Sequence, residues 1–141
     1  MNTNLRTMEL TFERHILAHP GEVFDAWLNP AVPGTPWYEN DTLIFNPVLN
    51  GLFYWLIRGN PHYGRFTVLD RPHRIQHTWM SRSTLGYESN VTLTFREDDG
   101  DTLLTLVHSG LPEDERARAH EAGWNYFLDK LTSQLGSAAR P

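Results

Sequence analysis

The stretch from Leu103 to Gly136 constrains the fold more than any other part of the chain. It indicates a β-strand that stops at Ser109-Gly110 and leads into one long amphipathic helix. Pro112 suits the first helical turn, where its missing N–H would be unpaired anyway, and Gly136 suits the position just past the helix end. A stripe of apolar residues recurs near the 3.6-residue period, at Ala117, Trp124, Phe127, Leu128, Leu131 and Leu135. Such a helix must bury its stripe against another layer.

Alternating segments separated by turn residues fill the chain from Thr42 to Ser109. The turns recur about every 8–12 residues, which is typical of an antiparallel meander. Asn50-Gly51 predicts a tight turn, and the strand after the Gly59-Asn60-Pro61 turn is expected to start at Tyr63. Together with an additional strand near the N-terminus, these segments predict an α+β fold in which about seven strands surround the long C-terminal helix.

The N-terminal segment predicts a strand over Glu9–Leu17 and then a short helix that begins at Pro20. Arg14 lies on the apolar side of that strand, so we expect it either at a strand end or beside a carboxylate. The following segment contains three turn-forming residues and can hold at most a short helical piece around Trp37 and Tyr38. We expect these two aromatic residues at a rim rather than in the centre of a core.

The last three strands can be aligned from their turns. A turn at Asp98–Gly100 pairs Leu93 with Leu106 and Val91 with His108, and a turn near residues 82–86 pairs His77 with Val91. The two registers agree, because side chains alternate between the faces of a strand. They place nine residues on one face, which we expect the long helix to cover: Ile75, His77, Trp79, Val91, Leu93, Phe95, Leu104, Leu106 and His108. The opposite face is rich in threonine and suits water.

Composition excludes several classes of function. The formal net charge of −5 and the lack of a Lys/Arg run argue against nucleic acid as a partner, and the lack of cysteine excludes disulfides and thiolate sites. Residues 1–10 do not resemble a signal peptide, and no stretch approaches the length of a membrane span. We expect a soluble cytoplasmic protein with a single domain over residues 1–136 and a disordered tail over 137–141. His73 and His77 are too far apart along a strand to share a metal, and the sequence contains no phosphate-binding glycine loop. We expect no metal and no cofactor.

Four segments carry a resemblance to a known family: "HPGEVFDAWLNP", "RIQHTWMS", "VTLTF…DGDTLLTLVHSGLP" and "HEAGWNYFLDKL". Over about residues 8–135 the chain resembles the heat-shock ATPase activator homologues of the START-like, helix-grip superfamily, which is related in fold to the birch-pollen allergen. The resemblance implies a cavity between the sheet and the long helix, often used for apolar small molecules. It also makes a heat-shock chaperone a candidate partner, although the eukaryotic activators carry an additional N-terminal region for which 141 residues leave no room.

We therefore predict a binding module for an apolar or aromatic small molecule. His77 and His108 would orient the ligand, although two inward histidines satisfied by neighbours remain the simpler interpretation. Gly123 within the helix indicates either close packing on the sheet or local softening beside Trp124. The predicted cavity residues are Trp37, Trp55, Phe66, His77, Trp79, Leu93, Leu106, His108, Trp124 and Phe127.

Two other functions stay open. A cavity enzyme of the cyclase or hydrolase kind would need His77 or His108 as its titrating group. An interaction module would need an exposed apolar patch, and the threonine-rich outer face counts against one. The sequence also leaves open a homodimer formed through an edge strand or through the segment around Trp37.

Overall fold

A computed structural model describes residues 6–136, and the predicted tail lies outside them. Within these residues, one antiparallel sheet of seven strands is accompanied by three helices and two short 3-10 turns, at Pro36–Tyr38 and Arg82–Thr84. The α+β helix-grip prediction is confirmed. In chain order the elements are β1 (Thr7–Ile16), α1 (Pro20–Trp27), β2 (Thr42–Phe45), β3 (Leu52–Ile57), β4 (Asn60–Asp70), β5 (Arg74–Trp79), β6 (Ser89–Asp98), β7 (Asp101–Pro112), α2 (Glu115–Arg118) and α3 (His120–Gly136).

The strands lie in the order β1-β7-β6-β5-β4-β3-β2. The predicted registers of the last three strands are confirmed, since His77 pairs with Val91 and Val91 with His108. All nine residues predicted to share the inner face are at most 3% exposed. This face forms the core because each of the three strands alternates with the same phase.

The C-terminal segment differs from the prediction of one long helix. β7 continues to Pro112, which pairs with Thr7 of β1, and the Glu113 N–H donates to the Arg6 carbonyl (2.9 Å). The Asp114 carboxylate then accepts a hydrogen bond from the Arg116 N–H and caps the single turn of α2. Pairing with β1 therefore prevails over the local suitability of Pro112 for a helix start, and Gly136 lies within α3 rather than beyond it.

α3 lies against the inner face of the sheet through Trp124, Leu128 and Leu131, all buried. Arg14 of β1 reaches this helix: its Nε lies 2.9 Å from Asp129 Oδ1, so of its two predicted environments the carboxylate is the correct one. The loop after α1 also crosses α3 closely. Gly34 has φ +103°, and a Cβ built there would clash with the backbone nitrogen of Leu131.

That loop carries Trp37 into the core, where it is fully buried. Its indole N–H donates to the Trp27 carbonyl (2.9 Å), and its ring lies 4.8 Å from that of Phe53. The prediction that both Trp37 and Tyr38 lie at a rim is therefore wrong for Trp37, whereas Tyr38 is 47% exposed. The 3-10 turn separates the two neighbours because it directs one side chain inward and the other outward.

Candidate functional site

A cleft of about 170 Å³ lies where β3, β4 and β5 face the junction of α2 and α3. Four aromatic side chains and a few polar groups surround it. Its lining residues are Trp55, His62, Trp79, Ser83, Arg116, Ala119, His120, Gly123, Trp124 and Phe127.

The aromatic walls form a continuous set. The ring centroids of Trp79 lie 5.6 Å from those of Trp55 and 5.1 Å from those of Trp124. Phe127 closes the set at 5.9 Å from Trp55. Contacts at these separations are favourable for aromatic rings, so the walls support one another as well as a ligand.

His62 lies opposite Trp55 in the β3–β4 hairpin, with ring centroids 4.6 Å apart. Its Nδ1 contacts the carbonyls of Trp55 (3.3 Å) and Asn60 (3.1 Å), which holds the proton on Nδ1. Burial lowers the pKa of His62 from 6.5 to about 4. The neutral ring therefore offers Nε2 as a hydrogen-bond acceptor at neutral pH.

His120 opens α3 and has both ring nitrogens engaged. Its Nδ1–H donates to the Ala117 carbonyl (2.7 Å), and its Nε2 accepts from Trp79 Nε1 (3.2 Å). Burial lowers its pKa. Acceptance at Nε2 requires the neutral imidazole, and the two contacts use both ring nitrogens, so His120 anchors Trp79 rather than offering a free group to a ligand.

His108 lies behind the wall. Trp124 Nε1 donates to its Nδ1 (2.9 Å), so the proton resides on Nε2, which donates to Ser89 Oγ (2.8 Å). Ser89 in turn donates to the Trp79 carbonyl (2.6 Å). Burial, followed by the neighbouring His120 and His77, lowers the pKa of His108 to about 2. This chain of hydrogen bonds ties α3 to β5, β6 and β7.

His77 is deeper still and fully buried. Its Nδ1 lies 3.2 Å from the Thr78 carbonyl, and burial lowers its pKa to about 4. Within residues 6–136, its Nε2 finds no hydrogen-bond partner. The rings of Trp37, Phe53 and Phe66 surround it at centroid distances of 5.4–5.6 Å.

Four of the ten predicted cavity residues line the cleft: Trp55, Trp79, Trp124 and Phe127. The other six are buried in the core and do not line it: Trp37, Phe66, His77, Leu93, Leu106 and His108. That any of the ten contacts a ligand stays a prediction.

Sequence reasoning missed six lining residues: His62, Ser83, Arg116, Ala119, His120 and Gly123. His62 could have been found by extending the predicted strand back from Tyr63 to Asn60, because strand alternation then sets it opposite Trp55. Arg116 and Ala119 line the cleft at the break between α2 and α3. The prediction of one continuous helix did not include this break.

Gly123 is not a point of close contact between α3 and the sheet. It is exposed, and a Cβ built there would meet no atom within 4 Å. Of its two predicted roles, close packing on the sheet is therefore excluded. Gly123 instead contributes an open edge to the cleft beside Trp124.

Within residues 6–136 no three His, Cys, Asp or Glu side chains are grouped so that they could hold a metal ion. No helix in the same range has the length and apolar character needed to span a bilayer.

The chain is similar to one family of proteins over most of its length. The family described as "Activator of Hsp90 ATPase homolog 1-like protein" matches residues 17–136. The human activator of 90 kDa heat shock protein ATPase homolog 1 is 23% identical over 141 residues, which are 99% of this chain but only 40% of that protein. The chain thus spans about two fifths of the length of the curated relatives it matches.

Solved structures share the fold. Protein MLL2253 from Mesorhizobium loti superposes with a TM-score of 0.76 at 22% identity, covering 91% of this chain and 96% of that one. The Aha1 dimer from Colwellia psychrerythraea, a solution structure, gives 0.74 at 16% identity, with 95% and 99% covered.

Proposed function

The chain belongs to the family of activator of Hsp90 ATPase homolog 1-like proteins, and we propose that it binds a small apolar or aromatic molecule in the cleft beside α3. The observation that carries this proposal is the accessible cleft walled by Trp55, Trp79, Trp124 and Phe127. Ligand sites are typically concave and mostly apolar, with a few placed polar groups. This cleft has that composition.

The size of the cleft limits the ligand. An apolar cavity of roughly 150 Å³ accommodates benzene, and this cleft measures about 170 Å³. One aromatic ring with small substituents fits, whereas a fused multi-ring compound would extend outside. The proposed ligand class is therefore a single-ring compound.

Binding is better supported than catalysis. The enzyme alternative needed His77 or His108 as a titrating group, yet neither lines the cleft and burial keeps both neutral. Chaperone activation would rest on similarity to proteins of which this chain covers only 40%, and similarity of fold alone does not transfer an activity.

The five tryptophans provide a test with internal controls. Trp55, Trp79 and Trp124 line the cleft, whereas Trp27 and Trp37 lie in the core. Titration of ¹⁵N-labelled protein with benzene or toluene should shift the indole N–H resonances of the first three more than those of the other two. If saturating probe moves none of them, or all five equally, the cleft is not the binding site.

A second function, self-association, is favoured by exposed apolar residues of the β2–β3 hairpin, which forms one edge of the sheet. Ile44 and Leu52 are 63% and 62% exposed, and Val48 and Leu49 in the intervening loop are more than half exposed. β2 terminates the sheet, so one side of this strand has no neighbouring strand in the described residues. Edge strands with exposed apolar residues favour association. The threonine-rich outer face considered above does not include this hairpin.

We propose that two copies of the chain associate through the β2–β3 hairpin. Light scattering coupled to size exclusion should show a dimer that Leu52→Glu dissociates. Thr94→Glu, at an exposed outer-face position on β6, serves as the matched control and should leave the dimer intact. A monomer at every concentration of the unmodified protein would refute this second function.

A further inference from the structure

The polar groups of the cleft differ in what they can offer a ligand. His120 is saturated, because Trp79 and the Ala117 carbonyl use both of its nitrogens. The Ser83 hydroxyl can donate or accept and so does not discriminate. His62 and Arg116 remain, and each offers only one kind of contact.

His62 offers an acceptor. Two backbone carbonyls of the β3–β4 hairpin hold its Nδ1–H, so Nε2 is the polar atom of this ring that is left for a ligand. Aromatic rings surround the imidazole: Trp55 at 4.6 Å and Trp79 at 5.2 Å between centroids. A ligand ring stacked among these walls could donate to Nε2 only through a substituent such as a hydroxyl.

Arg116 offers a positive charge at the rim. Its Nε lies 3.3 Å from Asp114 Oδ1, and its side chain is 70% exposed. The two terminal nitrogens of a guanidinium held through Nε remain able to pair with a carboxylate. In the described part of the chain no Asp or Glu lines the cleft, so Arg116 supplies the positive charge of the lining, which Asp114 outside the lining offsets in part.

We propose that the ligand of this cleft is a monocyclic phenol that also carries an anionic group, with its hydroxyl on His62 Nε2 and its anion facing Arg116. This inference rests on the proposed binding function and specifies its ligand class. The phenolic hydroxyl keeps its proton at neutral pH and donates it, whereas a carboxylate is ionised there.

Four probes separate the two contacts: benzene, phenol, benzoate and hydroxybenzoate, the last as its 3- and 4-isomers. Dissociation constants come from the indole N–H shifts of Trp55, Trp79 and Trp124. The hydroxyl should tighten binding about fivefold, as expected for one net hydrogen bond. The carboxylate should add about threefold at low salt, an effect that weakens as ionic strength rises.

Variants assign each gain to its residue. His62→Leu should abolish the hydroxyl effect and His62→Gln, which keeps an acceptor, should retain most of it. Arg116→Gln should abolish the carboxylate effect. Arg118→Gln is the matched control, because Arg118 lies exposed on the same helix but does not line the cleft. Benzene binding that survives in every variant shows that the cleft remains folded.

The outcomes distinguish the two proposals. If benzene binds but neither substituent improves affinity, the ligand class is refuted while the binding function stands. Gains that persist in His62→Leu or Arg116→Gln also refute it, because other groups then make the contacts. If no probe shifts the cleft indoles, both proposals fail together.

Discussion

Trp124 and Trp27 form a matched pair that tests how much the hydrogen bond between α3 and the sheet contributes to stability. Both side chains are buried, at 2% and 0% exposure. Trp124 Nε1 donates to His108 Nδ1 (2.9 Å), whereas Trp27 Nε1 is buried without an acceptor within residues 6–136. Trp→Phe removes the same atoms at both positions, so the loss of buried area largely cancels in the comparison.

The difference should come from the polar atoms. Trp124→Phe leaves His108 Nδ1 as a buried acceptor without a donor, which costs about 1–3 kcal/mol. Trp27→Phe instead deletes a buried donor that gains nothing from folding, which offsets part of its packing loss. We therefore expect the free energy of unfolding to fall more for Trp124→Phe than for Trp27→Phe, by about 2 kcal/mol.

Urea unfolding followed by far-UV circular dichroism measures this difference without relying on tryptophan emission, which both substitutions alter. Equal m-values would show that the free energies can be compared directly. In a His108→Leu background the excess cost of Trp124→Phe should shrink, because the acceptor is gone. Equal destabilisation by the two substitutions in the unmodified background would refute the reasoning.

Two further predictions concern pH and helix α3. Burial lowers the pKa of His77 from 6.5 to about 4, so between these values the unfolded state binds the proton and the folded state does not. The free energy of unfolding should be insensitive to this group above pH 6.5 and fall by about 1.4 kcal/mol per pH unit between about pH 6.5 and 4. Urea titrations in which His77→Phe keeps the full slope would contradict this. Gly123→Ala should raise the free energy of unfolding by about 1 kcal/mol, since its Cβ meets no atom, and a lower thermal midpoint would contradict that expectation.

The sheet could be predicted closely because its determinants are local. The turn at Asp98–Gly100 and the alternation on each side fix which residues oppose one another, and His77, Val91 and His108 lie in one row as expected. The start of the C-terminal helix could not be predicted in this way. It depends on the pairing of Thr7 with Pro112, a contact between distant parts of the chain that no local preference reveals.

The position of the cleft was harder to predict than its composition. Strand alternation identifies the inward residues, but it does not say which of them a loop or helix then covers. The loop that carries Trp37 fills the inner face beside Phe53 and His77. The open space consequently lies toward Trp55 and the α2–α3 junction, where His62 and Arg116 join it.

The hydrogen bonds behind the wall indicate that the cleft is formed before a ligand binds. Trp79 is held at two points: its carbonyl accepts from Ser89 and its indole N–H donates to His120. Trp124 is held through His108, which donates to the same Ser89. The two bonds in which His120 and His108 accept from an indole N–H require neutral imidazoles, and burial lowers the pKa of both histidines. Because the two central rings of the wall are fixed in advance, a ligand need not spend binding free energy on ordering them, which favours a small rigid aromatic compound over a large flexible one.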